Sequence, residues 1–132
     1  MAWALPLFFF ETTPGFEKEL KEESSSRTRD EKAILCAFCQ YRVSREKERT
    51  AVRGSHEHSF FNPHGIVYHI GCFLKAPGCI PSGPPCGEFS WFPGFNWQIV
   101  CCGGCQNHLG WQFLGENKGF FGLILNRLTQ ID

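Results

Sequence analysis

Short apolar runs separated by polar or glycine-rich turns recur along the chain from about Ile34 onwards. The runs are rich in β-branched and aromatic residues, which pack well on the half-buried face of a sheet. They occupy residues 34–39, 66–73, 97–102, 108–113 and 120–125. No segment repeats at the period of a solenoid protein. The pattern therefore predicts an all-β domain built from short antiparallel strands.

The segments between these runs predict turns and loops. Residues 62–65, Asn-Pro-His-Gly, are expected to form the turn of a hairpin, because proline fixes φ and glycine accepts a positive φ. Residues 75–88 include four prolines and three glycines, so a long loop without helix or strand is predicted there. Residues 44–53 indicate an outer strand pair or a loop, and residues 126–132 are expected to trail off from the domain.

The first 33 residues differ from the rest in composition. Residues 1–10 are apolar and resemble the core of a signal peptide, but they lack a basic n-region and a small-residue cleavage site. Residues 17–32 carry charges of both signs and a serine run, which indicates a solvated tether, with a short helix over 15–23 as an alternative. We therefore divide the chain into a leader and tether over 1–33, expected to be poorly structured, and one folded domain over 34–132.

Charge and cysteine content narrow the function classes. Lys+Arg and Asp+Glu both number 13, so the formal net charge is zero. This balance argues against nucleic-acid binding, which requires a basic excess to neutralise phosphates. No apolar run reaches the roughly 18 residues that a membrane-spanning helix needs. Cysteines stay reduced in the cytosol and pair in secretory compartments, so the eight found here leave a secreted or a cytoplasmic location open.

Two Cys-x-x-Cys pairs, Cys36/Cys39 and Cys102/Cys105, indicate a metal site. The tight turn of such a pair aims both thiolates at one ion, and four thiolates make a closed tetrahedral zinc site with no open position for catalysis. We therefore predict one structural Zn²⁺ held by these four cysteines. A redox dithiol is the alternative for either pair alone, but the sequence lacks the βαβ pattern that accompanies such dithiols.

Three of the four tryptophans, Trp91, Trp97 and Trp111, lie in an aromatic segment around the second cysteine pair. A Pro-Gly turn between Trp91 and Trp97 allows the chain to reverse, so that the two indoles face each other. Indole rings can wall a recess that binds a compact ligand without chemistry, while backbone groups recognise a planar polar ligand. The alternative is that all three are core residues. His108 is expected to pack or hydrogen-bond rather than to ligate the ion.

Five motifs follow one another along the chain. They are Cys36-x-x-Cys39, Asn62-Pro63-His64-Gly65, Phe89-Ser90-Trp91-Phe92-Pro93-Gly94-Phe95-Asn96-Trp97, Cys102-x-x-Cys105-Gln-Asn-His108-Leu-Gly110-Trp111-x-Phe113 and Phe121-Gly122-Leu123. In order and spacing they resemble the cereblon-type thalidomide-binding (CULT) domain. The resemblance runs from about Ile34 to Leu128 and points to a stand-alone, single-domain member.

The resemblance implies a zinc-pinned β-tent, in which two antiparallel sheets are held together near the metal. It also implies a pocket in which three tryptophans, here Trp91, Trp97 and Trp111, enclose a glutarimide-like ring. The backbone carbonyl of Phe89 and the backbone amide of Trp91 would hydrogen-bond the imide. The other ligand-binding residues expected are Asn62 and Phe113 at the rim and base and Ser90 on the same loop.

The function that the resemblance implies is non-enzymatic binding. The expected partner is a small cyclic imide, a uracil-like ring or a peptide that ends in a cyclic imide, with neither nucleic acid nor a membrane span. Two alternatives stay open. One is an aromatic cage for methylated ammonium groups, for which Glu88 is the only nearby carboxylate. The other is a methionine sulfoxide reductase, which needs a nucleophilic cysteine beyond Cys105 that the sequence lacks.

The chain also departs from the family pattern. It has no room for the Lon-like domain or the helical segment through which full-length relatives dock onto a ubiquitin ligase, so direct docking is not expected. Phe89 stands where animal cereblon has histidine, which leaves the backbone contact intact. Cys79, Cys86 and Cys101 are additions to the shared pattern. A disulfide between Cys79 and Cys86 would suit secreted relatives, whereas reduced thiols, including Cys72, are equally allowed.

Overall fold

The computed structural model describes residues 32–130, which form nine β-strands and two short 3-10 helices. The strands are β1 (Ala33–Cys36), β2 (Arg42–Arg45), β3 (Glu57–Phe61), β4 (Val67–Phe73), β5 (Cys79–Cys86), β6 (Asn96–Cys102), β7 (His108–Gly115), β8 (Lys118–Ile124) and β9 (Leu128–Gln130). The 3-10 helices are Glu46–Glu48 and Leu125–Arg127. The all-β prediction is confirmed.

Some expectations concern parts of the chain that lie outside the described residues. The apolar leader, the charged tether and the short helix over 15–23 all fall there, so the domain boundary at residue 33 stays a prediction. Within the described range, no helix has the length and apolarity that crossing a bilayer would require.

The strands form two antiparallel sheets, as expected. The smaller sheet has the order β2-β1-β9, and the larger has the order β3-β4-β8-β7-β6-β5. The hairpin predicted around residues 62–65 joins β3 to β4, with Phe61 opposite Val67. Its turn is closed by the Gly65 N–H, which donates to the Asn62 carbonyl at 2.9 Å. This turn holds residues 62–64 at one edge of the larger sheet.

Two separate groups of buried side chains stabilise the domain. The intersheet core contains residues of both sheets, namely Ile34, Cys36, Val43, Phe73, Ala76, Val100, Cys102, Leu109 and Leu123. The aromatic cluster packs a loop onto the larger sheet and consists of Ile70, Cys72, Phe92, Trp111, Phe113, Phe120 and Ile124. The larger sheet contributes to both groups, so apolar side chains cover both of its faces.

A β-bulge at Leu109 divides β7 between these two groups. The pairing of β6 with β7 shifts between Val100 and Cys101, and this leaves Leu109 without an opposite residue. Side chains alternate along a regular strand, so an extra residue changes which face the following side chains occupy. Leu109 accordingly packs in the intersheet core, while Trp111 two residues later belongs to the aromatic cluster. The bulge thus directs Trp111 away from the intersheet core.

Two segments predicted to lack strands form strands instead. The loop predicted over 75–88 was wrong for most of its length, because β5 spans Cys79–Cys86 and contains Pro81, Pro84 and Pro85. Proline is tolerated here because β5 is an edge strand that pairs only with β6, so not every N–H is needed for the ladder. The expected trailing end was also wrong, since β9 pairs with β1 and completes the smaller sheet.

Candidate ligand cavity and metal centre

The four cysteines of the two Cys-x-x-Cys pairs come together beside the intersheet core. Cys36 and Cys102 end β1 and β6, and Cys39 and Cys105 lie in the turns that follow. All four sulfurs lie within 4.8 Å of one another. The Cys36 and Cys105 sulfurs are 3.7 Å apart, and those of Cys39 and Cys102 are 3.6 Å apart. The set could therefore hold one metal ion.

These distances fit a tetrahedral site for a soft cation. Zinc–sulfur bonds of about 2.3 Å at tetrahedral angles place neighbouring sulfurs about 3.8 Å apart. Two hydrogen bonds also reach these sulfurs, since the Gly104 N–H donates to the Cys102 sulfur at 3.3 Å and the Asn107 side chain to the Cys105 sulfur at 3.2 Å. Hydrogen bonds from the backbone and side chain of Asn107 lower the pKa of Cys105 to about 6. The thiolate form is thus favoured at Cys105, whereas burial raises the pKa of Cys36 and that of Cys39 above the ordinary value for a thiol.

His108 lies near this centre but is engaged elsewhere. Its Nε2 is 3.0 Å from the Gly110 carbonyl oxygen, and its ring meets the Trp111 indole edge to face at 4.8 Å. Burial lowers the pKa of His108, and the nearby charge of Arg127 lowers it further. The ring therefore packs and hydrogen-bonds, as expected from the sequence, and the lowered pKa favours its neutral form.

A cavity of about 460 Å³ opens beside the aromatic cluster. Its lining residues come from the β3–β4 turn, the loop before β6, and strands β4, β6 and β7. They are Asn62, Pro63, His64, Tyr68, Phe89, Trp91, Trp97, Ile99, His108, Trp111 and Phe113. The structure thus brings six of the seven predicted ligand-binding residues to one cavity. Ser90 is the residue that it does not place in the lining.

Each indole is held by a different contact. The Trp91 N–H donates to the Phe61 carbonyl at 2.8 Å, and the Trp91 ring stacks on Phe60 with centroids 4.9 Å apart. The Trp111 ring meets Trp91 edge to face at 4.8 Å. The Trp97 N–H donates to the Glu88 carbonyl at 2.6 Å. Trp91 therefore packs on β3 rather than facing Trp97. The two indoles both line the cavity, but each is held by hydrogen bonds to a different part of the chain.

No family model matches the chain. The chain is 34% identical over 109 residues to cereblon of Drosophila grimshawi, 39% identical over 75 residues to cereblon of Gallus gallus and 29% identical over 106 residues to cereblon of Drosophila melanogaster. These alignments cover 79%, 53% and 74% of this chain.

The chain is a homologue of cereblon. The homology, the two-sheet fold and the four clustered cysteines are together consistent with a cereblon-type CULT domain. The chain spans only 16% to 18% of the length of these three cereblon relatives.

The loop before β6 in this cereblon homologue is held at its middle by a buried phenylalanine. This aromatic loop, residues 88–95, has Phe92 as its anchor, with only 1% of that residue exposed. The Ser90 hydroxyl donates to the Phe92 carbonyl at 3.1 Å and accepts from the Phe92 N–H at 3.3 Å. Arg53 donates to the Pro93 carbonyl at 2.8 Å. Ser90 thus shapes the loop, and its direct contact with a ligand stays a prediction.

Phe89 precedes this anchor in an unusual conformation. Its φ of 60° lies in the left-handed region, which is rare for a bulky residue, and it is 71% exposed. Among residues 32–130, no donor reaches the Phe89 carbonyl and no acceptor takes the Trp91 N–H. The loop thus presents one backbone acceptor and one backbone donor, two residues apart, beside the cavity.

Five lining residues were not among the predicted ligand-binding residues, namely Pro63, His64, Tyr68, Ile99 and His108. Strand periodicity could have found Ile99, because residues two apart share a face and Trp97 precedes it on β6. Tyr68 gave no local signal, since it reaches the cavity through the pairing of β4 with β8. Among the described residues, no aspartate or glutamate lines the cavity. Glu88 contributes only its backbone carbonyl, to Trp97.

The remaining cysteines are free thiols. Cys79 is the first residue of β5 and Cys86 is the last. They pair with Cys102 and Trp97 of β6, respectively. Five residues of strand separate these partners, which corresponds to about 17 Å. A disulfide needs Cα atoms no more than about 7 Å apart. The Cys79–Cys86 disulfide considered from the sequence is therefore wrong, and the alternative of reduced thiols agrees with the structure.

Proposed function

We propose that this domain is a non-enzymatic binding module for a cyclic imide. The ring would be a glutarimide, a uracil-like ring or the C-terminal cyclic imide of a peptide, held among Trp91, Trp97 and Trp111. The observation that carries the proposal is one cavity of about 460 Å³ that combines three indoles with an unpaired backbone donor and acceptor. Small-molecule sites typically measure about 300 to 1,000 Å³ and are mostly apolar with a few placed polar groups.

The hydrogen-bonding pattern of an imide supports this choice. An imide has an N–H flanked by two carbonyl groups, so it needs an acceptor and a donor side by side. In the proposed complex, the Phe89 carbonyl accepts from the ring N–H and the Trp91 amide donates to a ring carbonyl. The left-handed φ of Phe89 stores about 1 to 3 kcal/mol of local strain, as positions at binding sites often do. The apolar walls exclude water, which strengthens these hydrogen bonds.

Homology to cereblon supports a cereblon-like ligand-binding domain. Because the chain spans less than a fifth of the length of those relatives, the proposal is confined to ligand binding by the domain itself. A cage for methylated ammonium groups is less well supported, since such cages commonly add a carboxylate and none lines this cavity among the described residues. A sulfoxide reductase is also less well supported, since none of residues 106–132 is the cysteine that its chemistry would need.

We further propose that the ion is Zn²⁺ and that its role is structural. Four thiolates with sulfur separations of 3.6 and 3.7 Å suit the preferred geometry of zinc. The ion would join β1 of the smaller sheet to β6 of the larger sheet through Cys36 and Cys102. With four protein ligands it has no open coordination position, so it would stabilise the fold rather than catalyse a reaction.

Tryptophan fluorescence titration tests the binding proposal. We expect saturable changes with glutarimide, and none with N-methylglutarimide, whose ring nitrogen cannot donate to Phe89. Trp97→Ala should abolish the glutarimide response while zinc content stays unchanged. Leu74→Ala, which truncates an exposed apolar residue just after β4 and six residues beyond Tyr68, is the control and should bind normally. Saturation by trimethyl-lysine but not by glutarimide would refute the proposal in favour of an ammonium cage.

A further inference from the structure

A fifth cysteine, Cys79, lies directly opposite one of the four clustered thiols. Cys79 begins β5 and is paired in register with Cys102 at the end of β6. The Cys79 N–H donates to the Ala76 carbonyl at 3.0 Å and the Cys102 N–H to the Asn107 carbonyl at 2.8 Å, so both point away from the gap between the two strands. The two residues therefore form a non-hydrogen-bonded pair, in which Cα atoms stand about 4.5 Å apart.

This arrangement suits a covalent link between the two sulfurs. Disulfides form between residues whose Cα atoms are about 4.4 to 6.8 Å apart and whose Cβ atoms are about 3.5 to 4.5 Å apart. Cys79 is half-buried and packs against the intersheet core that contains Cys102. Cys101 is the neighbour of Cys102 in sequence, but strand alternation directs it to the opposite face of β6. Of the cysteines outside the four clustered ones, Cys79 is thus the one that pairs across the strands with a candidate metal ligand, Cys102.

We propose that Cys79 and Cys102 form an oxidation site, at which a peroxide converts the two thiols into a disulfide and removes Cys102 from the metal-binding set. The site extends the proposed metal centre, because it uses one of its four sulfurs. Cys79 is the sulfur of this pair that peroxide can reach, since it is partly exposed whereas Cys102 is fully buried. Burial raises the pKa of the Cys79 thiol to about 12, so this first step is expected to be slow and to need a high peroxide dose. The domain would then carry a reversible switch between a metal-bound and a disulfide-bonded form.

The chemistry balances with hydrogen peroxide as the oxidant. The Cys79 sulfur attacks one peroxide oxygen, the O–O bond breaks, and a sulfenic acid and one water form. The Cys102 sulfur, which would be a thiolate when it ligates the ion, then attacks the sulfenic sulfur, so that the S–S bond forms and the S–O bond breaks. The hydroxyl leaves as a second water with a proton taken from solvent. Two thiols are oxidised by two electrons in total, and one peroxide is reduced to two waters. A reducing thiol reverses the step by thiol–disulfide exchange.

The consequence would reach beyond the two cysteines. Loss of Cys102 leaves three of the four sulfurs, Cys36, Cys39 and Cys105, and a closed site depends on all four. Closed metal sites contribute their binding free energy to folding. Oxidation is therefore expected to release the ion and to loosen the contact between β1 and β6.

The test treats the full chain with increasing hydrogen peroxide and follows two readouts, zinc release to a chromogenic chelator and disulfide mapping of non-reduced peptides by mass spectrometry. In the wild type we expect zinc release together with a linked Cys79–Cys102 peptide that has lost two hydrogens, and both should reverse on reduction. Cys79→Ser should retain zinc at the peroxide dose that empties the wild type. Cys101→Ser is the matched control, because it removes the thiol next to Cys102 on β6. This variant should release zinc at the same peroxide dose as the wild type.

Several outcomes would overturn the inference. Zinc release from Cys79→Ser at the wild-type dose would do so, and so would a disulfide mapped to another pair, such as Cys36–Cys39. Thermal unfolding of Cys79→Ser and Cys79→Ala before oxidation establishes that each variant folds. If the purified chain contains no metal, the metal proposal fails on its own, while the peptide map still decides whether Cys79 and Cys102 pair.

Discussion

Phe92 is the residue whose truncation should separate the cavity from the metal centre. Its ring is 1% exposed and meets Phe113 at 4.8 Å and Phe120 at 5.0 Å, both edge to face. Buried Phe→Ala changes cost about 3 to 5 kcal/mol. An edge-to-face pair contributes about 0.5 to 1.5 kcal/mol of that loss. Small domains have about 5 to 15 kcal/mol in total, so Phe92→Ala should remain folded but with a weakly docked aromatic loop.

The expected result has two parts that are measured separately. Undocking of the loop removes the aligned Phe89 carbonyl and Trp91 amide, so glutarimide affinity should fall at least about tenfold in a fluorescence titration. The intersheet core contains no side chain from this loop, so zinc content should stay at the wild-type level. Urea unfolding followed by circular dichroism gives the stability change, which falls below the full Phe→Ala cost if only the loop opens.

Leu74→Ala is the control for this experiment, because Leu74 is 54% exposed and its truncation should change stability by less than about 0.5 kcal/mol. Unchanged glutarimide affinity in Phe92→Ala would refute the role of the loop anchor. Simultaneous loss of zinc and of binding would instead show that the aromatic cluster and the intersheet core unfold as one unit.

Three further predictions concern the metal, the bulge and pH. Cys36→Ser should lose zinc and unfold the domain, because closed metal sites contribute directly to folding; an unaltered thermal transition would contradict this. Gly110→Ala should destabilise the domain by about 2 kcal/mol or more in urea unfolding, since its Cβ would stand 2.1 Å from the Gly122 carbonyl oxygen. Burial and Arg127 hold the pKa of His108 below its unfolded value, so this residue's contribution to stability is present above pH 6.5 and is lost as pH falls towards its folded pKa. His108→Gln should reduce that slope, and an identical pH profile would contradict the assignment.

The metal centre could be predicted from sequence because its signal is local. Each Cys-x-x-Cys turn directs its two sulfurs towards one ion. Two such turns in a single domain together supply the four ligands of one tetrahedral site. The tryptophans were grouped by their closeness in sequence and by the family resemblance. Their convergence on one cavity depends on the bulge at Leu109, which no local pattern marks.

The contacts and strands that the sequence did not predict depend on which strands are neighbours in the sheets. The stacking of Trp91 on Phe60 joins a loop to a strand 31 residues earlier. Tyr68 meets Trp91 and Trp111 because the sheet order places β4 beside β8, which in turn pairs with β7. The proline-rich segment 79–86 could not be predicted as a strand from its sequence. Proline is compatible with an edge strand but not with a central one, and whether a strand lies at the edge depends on the tertiary fold. For the same reason β9, a short strand added to β1, could not be predicted from residues 128–130 alone.

The most direct test of cyclic-imide binding is an NMR titration of the isotope-labelled chain with glutarimide. The backbone amide of Trp91 and the indole N–H signals of Trp91 and Trp97 should shift together and saturate, with the Trp91 amide moving downfield as it forms a hydrogen bond. N-methylglutarimide at the same concentrations should leave these signals in place. Absence of shifts at these three groups, with glutarimide at millimolar concentration and the domain folded and zinc-loaded, would contradict the account.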